Sequence, residues 1–194
     1  MLETSPLANH LGFLALISYI ITLLPTILKV VFPRTKKTEI PKLLLKYRRQ
    51  IGVVAFLFAL GHGVLLIRKR NFDFFDLQTY WIYVQGVVTF IIFTLLTFTS
   101  NNWSMKKLKK NWKKLHELTY LAMFLLVWHV IDKMWGHWSY ITPLGIVGIT
   151  SITVLFIARK VIEHQNKLSK IKSCLLYTSP SPRDRTRSRM PSSA

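Results

Sequence analysis

Three histidines lie within long apolar stretches of this 194-residue chain and carry its most specific chemical signal. His62 and His129 come near the same end of two such stretches, and His116 comes thirteen residues before His129, at the opposite end of its stretch. Ionisable side chains inside membrane spans are costly and are usually kept for function. Two neutral imidazoles on neighbouring helices are the axial ligands that a six-coordinate haem iron requires. The pattern therefore predicts transmembrane electron transfer.

The composition favours a membrane protein whose loops are basic on one side. Apolar residues make up 51% of the chain, yet 27 lysines and arginines stand against 8 acidic residues, for a net charge of +19. Nucleic-acid binding is another common source of such a charge. Here long apolar runs separate the basic residues, so we expect no nucleic-acid partner. With Cys174 as its single cysteine, the chain can form no internal disulfide and no cysteine-based metal cluster of its own.

Five stretches are long and apolar enough to cross a bilayer, whose hydrocarbon core of about 30 Å needs about 20 residues. They cover residues 7–32, 51–67, 80–98, 115–132 and 140–158. The first contains Pro25 and is longer than necessary, an excess that a tilt or a kink would absorb. We predict an all-α polytopic bundle with about five transmembrane helices. We also expect residues 41–49 to form a short interfacial helix before the second span.

The basic residues between the spans predict the orientation of the bundle. Up to Lys172, eighteen lysines and arginines follow the first, third and fifth spans, whereas four follow the second and fourth. Cytoplasmic loops carry an excess of Lys and Arg, so the N-terminus is predicted outside and the C-terminus inside. An odd number of spans independently requires the two termini to lie on opposite sides.

The end of the chain differs in composition from the rest. From Cys174 it reads CLLYTSPSPRDRTRSRMPSSA, which is rich in Ser, Pro and Arg and has no helical period. This segment resembles translated sequencing-adapter read-through, and the alternative is a natural disordered basic tail. We therefore predict a membrane domain over residues 1–172 and a disordered tail over residues 173–194, with the true C-terminus missing if the tail is an artefact.

His62 and His129 are predicted to lie at similar depths in the bilayer. Both spans run from inside to outside, with His62 eleven residues and His129 fourteen residues beyond the start of its span. At about 1.5 Å per residue, the two depths differ by about 4–5 Å. One haem b between these helices would be ligated on both faces, which suits electron transfer rather than oxygen binding. The flanking Gly61 and Gly63 either let a porphyrin approach the backbone or serve helix packing.

His116 lies about 20 Å along the helix axis from His129 and is a candidate ligand of a second haem. The second span has no histidine at that depth, but Arg48 and Arg49 stand there and are expected to pair with haem propionates. Thirteen residues turn an ideal helix by about 220° beyond whole turns, so a bend or a different cofactor placement is needed. The alternative is an interfacial histidine with a local hydrogen bond. The sequence thus predicts one haem and allows two.

The remaining histidines lie outside the apolar stretches or at their ends. His10 is at the outer end of the first span and His137 is in a short outer loop. We expect both to be solvated, the alternative being contact with a haem edge, a metal or a quinone. His164 lies in the basic segment after the fifth span and is expected to be exposed.

The segments RRQIGVVAFLFALGHG (48–63) and LHELTYLAMFLLVWHV (115–130) resemble the ferric-reductase-like transmembrane domain superfamily. This superfamily includes NADPH oxidases, ferric reductases and the haem-binding subunit of the bacterial periplasmic methionine sulfoxide reductase system, and the chain is most similar to that prokaryotic branch. The resemblance implies that His62 and His129 are axial ligands and that His116 is the second histidine of its helix. Eukaryotic oxidases carry another histidine on the helix of His62, and family members commonly have six helices. The resemblance also implies a prokaryotic inner (plasma) or thylakoid membrane.

Flavin and nicotinamide domains need a Gly-rich βα turn and well over about 100 residues of their own. The chain has no G-x-G-x-x-G motif, so we expect no FAD or NAD(P) site in it. A separate flavoprotein or quinol would then donate electrons, unless such domains followed the present C-terminus. Ferric iron or a partner reductase on the outer side would accept them, and membrane lipid would surround the bundle.

A non-haem membrane protein, either a transporter or an assembly protein with proton- or metal-binding histidines, is the alternative function. Transporters place polar or charged residues within several spans. Apart from the histidines and Gln85, the five spans are nearly free of such residues, and no inverted repeat is evident. We therefore favour a membrane haem protein, as a ferric reductase-like oxidoreductase or as its electron-transfer subunit.

Overall fold

The computed structural model describes residues 6–69, 77–136 and 141–177. These residues form helices and no strand; the elements are α1 (Pro6–Val31), a 3-10 turn (Pro33–Lys37), α2 (Glu39–Lys69), α3 (Leu77–Phe98), α4 (Asn102–Leu108), α5 (Lys110–Gly136) and α6 (Ile141–Tyr177). All but the 3-10 turn and the short α4 are long and apolar enough to cross a membrane. The predicted all-α bundle with five transmembrane helices is confirmed.

The five long helices form a closed ring. Going round it, α1 packs on α2, α2 on α3, α3 on α5, α5 on α6, and α6 packs back on α1. Helices on opposite sides of the ring bring no Cα atoms within 8 Å of each other over the described residues. The two histidine-bearing helices, α2 and α5, therefore lie on opposite sides of the interior.

The middle of the ring is apolar. Its largest fully buried side chains include Leu23 and Ile27 of α1, Met123 of α5 and Ile149 of α6. Outward-facing apolar side chains are abundant, and on α2 they include Leu57 and Ile67, each more than half exposed. An apolar exterior of this kind is what a lipid environment requires, because only hydrocarbon covers it without cost.

Two boundaries differ from the sequence predictions. The interfacial helix predicted over 41–49 is wrong as a separate element, since α2 runs unbroken from Glu39. Pro41 falls in the first turn, where a missing N–H costs nothing, and no glycine or proline follows it before Gly52. Helix α6 continues to Tyr177, so the first five residues of the 173–194 segment are helical and the others lie outside the described residues.

The ring has two chemically different ends. We call the end where α1 stops, α2 begins and α6 passes Arg159 the basic end, because the lysine-rich connections lie there. The opposite end, where α1 begins and α5 stops, is the far end. At the basic end the connection from α3 to α5 is fixed by hydrogen bonds. The Asn101 side chain accepts from the Ser104 N–H at 2.6 Å to cap α4, and the Trp112 indole donates to the Thr99 carbonyl at 3.0 Å.

Candidate functional site

The His62 ring projects from α2 onto α1 at the far end. Its Nδ1 lies 2.7 Å from the carbonyl oxygen of Ala8. A carbonyl can only accept, so Nδ1 donates and carries the ring proton. Gly12, one turn along α1, makes this approach possible, because a Cβ there would lie 3.0 Å from both Nδ1 and Cε1 of His62. With Nδ1 protonated, the lone pair of the neutral ring is on Nε2, the nitrogen that can bind a metal.

The His129 ring projects from α5 onto α3 in a similar way. A Cβ on Gly86 would lie 3.3 Å from Cε1 of His129. The backbone of Ile82, one turn earlier on α3, is close enough to act on the ring as a hydrogen-bond acceptor. Nδ1 of His129 is nevertheless buried without a partner at full hydrogen-bonding geometry among the described residues. The arrangement is therefore a looser version of the one around His62.

Both rings use the same backbone feature of a neighbouring helix. The carbonyl of residue i−4 in an α-helix points along the axis towards residue i. A glycine at residue i leaves that carbonyl open to a side chain from outside the helix, as at Ala8–Gly12 on α1 and Ile82–Gly86 on α3. A carbonyl that receives the Nδ1 proton fixes the tautomer and the orientation of a metal-binding histidine. We call each such glycine with its open carbonyl a notch: Gly12 with Ala8 on α1, and Gly86 with Ile82 on α3. The two matching notches prepare the two imidazoles for metal binding.

Polar contacts hold the end of α5 in place beside these notches. The Lys133 ammonium donates to the Asn9 side-chain oxygen at 2.6 Å, which ties α5 to α1. The Gln85 amide donates to Asp132 at 2.8 Å, which ties α5 to α3. The charge of Lys133 also acts on both His62 and His129. These contacts set the depth and rotation of His129.

The structure brings the two predicted ligands, His62 and His129, close enough to interact electrostatically. The glycines that accommodate them are not the ones next to His62 in sequence. Gly61 packs against Leu11 of α1, with its Cβ position 3.2 Å from Leu11 Cδ1, which is the helix-packing alternative. Gly63 faces open space, with nothing within 4 Å of its Cβ position. The sequence did not single out Gly12 or Gly86, because hydropathy does not tell which face of a uniformly apolar helix meets a neighbour.

His116 lies at the basic end, well apart from the other two. Its ring stacks on Trp112 with centroids 4.1 Å apart, and its Nε2 is buried without a hydrogen-bond partner among the described residues. The charge of Arg48 on α2 reaches it. Arg49, predicted to act with Arg48, is exposed, because one residue turns a helix by about 100°. Arg48 is the member of the pair that faces the bundle.

A second arginine joins Arg48 at the basic end, and the sequence analysis missed it. Arg159 of α6 is 15% exposed, its Nε donates to Glu163 at 2.7 Å, and its Nη1 is buried without a partner among the described residues. It lies beside Tyr120 of α5 and interacts with Arg48. Because Glu163 balances one charge, the pair of guanidiniums keeps an excess positive charge that suits an anionic group.

The arrangement suits haem better than a bare metal ion. No group of three or more His, Cys, Asp or Glu side chains gathers within the part of the chain that the structure describes. A porphyrin supplies four nitrogens to its iron, so two protein imidazoles complete the coordination. The glycine notches and the buried, unpartnered Nε2 of His116 are consistent with such a group.

Two of the other histidines are exposed. His10 is exposed near the start of α1, and His164 is exposed on the continuation of α6. His137 lies outside the described residues.

Comparisons with known proteins agree with this picture. The family model for the ferric reductase like transmembrane component matches residues 11–127. The protein-methionine-sulfoxide reductase heme-binding subunit MsrQ of Brucella anthropi is 30% identical over 117 residues, which is 58% of this chain and 52% of that protein. The corresponding proteins of Brucella melitensis biotype 2 and Brucella ovis are 36% identical over 118 residues, covering 58% of this chain and 50% of theirs.

The chain thus spans about half the length of the curated relatives it matches. No solved structure matches it. Its apolar helices and its bacterial relatives identify an integral, multi-pass protein of a prokaryotic membrane.

Proposed function

Because the chain belongs to the family of ferric reductase-like transmembrane components, we propose that it is a membrane haem b protein that carries electrons across the bilayer. His62 and His129 are its axial ligands. The main observation behind this proposal is the position of the two imidazoles. They come from helices on opposite sides of the bundle, and each lies against a glycine and beside an open backbone carbonyl of a neighbouring helix. The printed names of the relatives, which are heme-binding subunits, support the choice of cofactor.

The residues of the far end have separate tasks in this function. Ala8 holds the Nδ1 proton of His62, so that Nε2 would be the nitrogen available to a haem iron, and the backbone of Ile82 lies beside the ring of His129. A haem held by both imidazoles would have no position open to exogenous ligands and would be suited to electron exchange. Haem bound here would supply a one-electron ferric–ferrous couple. The Lys133 ammonium would favour the ferrous (reduced) state of such a haem, because it adds a positive charge close to both histidines.

We infer that electrons move from the basic end towards the far end. The excess of lysine and arginine at the basic end favours a cytoplasmic position for it. A flavoprotein or membrane quinol on that side is the donor in this proposal, and ferric iron or a partner reductase on the opposite side is the acceptor. A partner reductase is supported by the relatives, whose name makes them subunits of a reductase system.

A second haem at the basic end is supported by one specific observation, the buried and unpartnered Nε2 of His116. Arg48 acts on His116 and interacts with Arg159, and these guanidiniums are the groups that would hold the propionates of such a haem. The described residues place no other histidine beside His116. This site therefore offers one imidazole where the far end offers two.

The absorption spectrum of the purified protein tests the proposal. We expect a Soret band and a sharp α-band on dithionite reduction, and both bands should lose the contribution of the far-end haem in His62→Ala and in His129→Ala. His164→Ala is the matched control, because this exposed histidine touches neither cluster. Circular dichroism and gel filtration show whether each variant keeps its helices. A colourless protein from haem-replete cells, or unchanged spectra in both folded ligand variants, would refute the proposal and favour the transporter class.

A further inference from the structure

A cavity of about 680 Å³ opens at the basic end, between the end of α1 and the part of α6 that continues past Arg159. Its walls come from Lys29 and Val30 of α1, from Pro33 of the 3-10 turn, and from one face of α6 between Ile162 and Lys170. The cavity lies outside both histidine clusters. We propose that it binds the phosphate headgroup of an anionic phospholipid from the adjacent leaflet.

The cavity carries an uncompensated positive charge. Lys29, Lys167 and Lys170 all line it, and none of them forms an ion pair among the described residues. The one lining carboxylate, Glu163, already accepts from Arg159 at 2.7 Å. Three ammonium groups therefore surround a space that no described carboxylate neutralises. A phosphodiester is the complementary group.

Helical spacing explains why these side chains converge. Glu163, Lys167 and Lys170 are separated by four and three residues, so they lie one above another on a single face of α6. Asn166 on the same face adds an amide that can donate to a phosphate oxygen. Lys29 approaches from α1, the helix packed against α6. The cavity is thus built on two adjoining helices.

Its depth and its apolar wall indicate a lipid rather than a soluble anion. Lys29 lies two residues before the end of the apolar span Leu7–Val31, where a span of this length meets the headgroup region. Val30 and Ile162 add apolar side chains to the lining of the cavity. A free phosphate would use the lysines alone, whereas a phospholipid also covers these apolar side chains. Basic pockets between membrane helices commonly bind anionic headgroups in this way.

Native mass spectrometry of the full chain in neutral detergent tests this proposal. Phosphatidylglycerol, phosphatidylcholine and inorganic phosphate are titrated separately, and the bound lipid per chain is counted. The cavity variant is K29Q/K167Q/K170Q. The matched control is K106Q/K110Q/K113Q, which removes the same charge from exposed lysines of the other basic segment.

We expect the unaltered chain to retain one phosphatidylglycerol in preference to phosphatidylcholine, with no competition from inorganic phosphate. The cavity variant should bind phosphatidylglycerol about tenfold more weakly, since each basic residue near an anionic leaflet adds to the affinity. The control variant should bind it as the unaltered chain does. Equal loss in both variants would mean a diffuse basic surface and would overturn the proposal. Full competition by inorganic phosphate would also overturn it, because the site would then be one for free anions.

Discussion

The far end and the basic end of this bundle both bury histidines, but they surround them differently. At the far end His62 and His129 come from opposite helices, and each ring meets a glycine and an open carbonyl. At the basic end His116 contacts the ring of Trp112 and lies near Arg48, which in turn interacts with Arg159, and its Nε2 is unpartnered among the described residues. The first environment orients two metal ligands, and the second gathers positive charge around one.

The difference shows that the chemical role of a histidine in a membrane span depends on the groups that contact its ring. The notch on α1 holds the His62 ring by its Nδ1, so the opposite nitrogen is free for a metal. The stacking of His116 on Trp112 fixes a ring plane but not a tautomer. Similar residues at two depths are therefore suited to different tasks.

Filling the notch on α1 should have the largest effect. In Gly12→Val the new side chain meets His62 ring atoms that lie 3.0 Å from the Cβ position, and the ring is held there by Ala8. Overpacking of this kind costs about 1–3 kcal/mol, so haem content measured as pyridine haemochromogen should fall about tenfold. Gly63→Val is the matched control, because nothing lies within 4 Å of that Cβ position. Equal haem loss in the two variants would show that the notch has no special role.

The looser notch on α3 should respond less. In Gly86→Ala the added Cβ lies 3.3 Å from His129 Cε1, so the ring must shift by a few tenths of an ångström. We expect haem affinity to fall about threefold, from a cost of roughly 0.5–1 kcal/mol. Gly52→Ala, at a position with nothing within 4 Å, should leave affinity unchanged. A larger loss in Gly86→Ala than in Gly12→Ala would reverse the ranking of the two notches.

Removing His116 should distinguish the haem content of the basic end from that of the far end. If His116 holds a second haem, His116→Ala lowers the haem count from about two to about one per chain while the far-end spectrum persists. The reason is that its unpartnered Nε2 is some 20 Å along the helix from His129. Haemochrome stoichiometry against protein concentration measures this. An unchanged count would assign His116 to a structural role at the basic end.

Neutralising Lys133 should give the smallest change, in potential rather than in binding. Lys133→Gln removes a positive charge that acts on both His62 and His129, and it keeps a donor for Asn9. The midpoint potential should fall by roughly 30 mV, because the oxidised state gains relative stability. Lys114→Gln removes the same charge from an exposed position at the basic end and should change it far less. A rise in potential in Lys133→Gln would contradict the assigned sign.

Hydropathy predicted the five spans because each is an apolar run bounded by charged loops. Hydropathy did not predict how far a helix continues beyond the bilayer. The first turns of α2, before Gln50, and the α6 turns after Arg159 carry too many charges to count as a span, yet no residue in them breaks a helix. Lengths within the membrane were therefore predictable, and lengths outside it were not.

The histidines were predictable from their type and depth, but their surroundings were not. Gly12 and Gly86 accommodate the histidine rings only because α1 and α3 are rotated so that these glycines face His62 and His129. The sequence does not indicate that rotation, because the lipid-facing side of each helix is as apolar as its buried side. Arg159 was not predicted as a site residue for a similar reason, because in the sequence it is one of several basic residues after the fifth span. Its role depends on α6 packing beside α5, which no local pattern encodes.

Electron paramagnetic resonance of the oxidised His116→Ala variant tests the central claim most directly, because it observes the far end alone. With His62 and His129 both ligating, the ferric iron should give a low-spin signal, which His129→Ala in the same background should convert to high-spin or abolish. A low-spin signal that survives both His62→Ala and His129→Ala would contradict ligation by this pair.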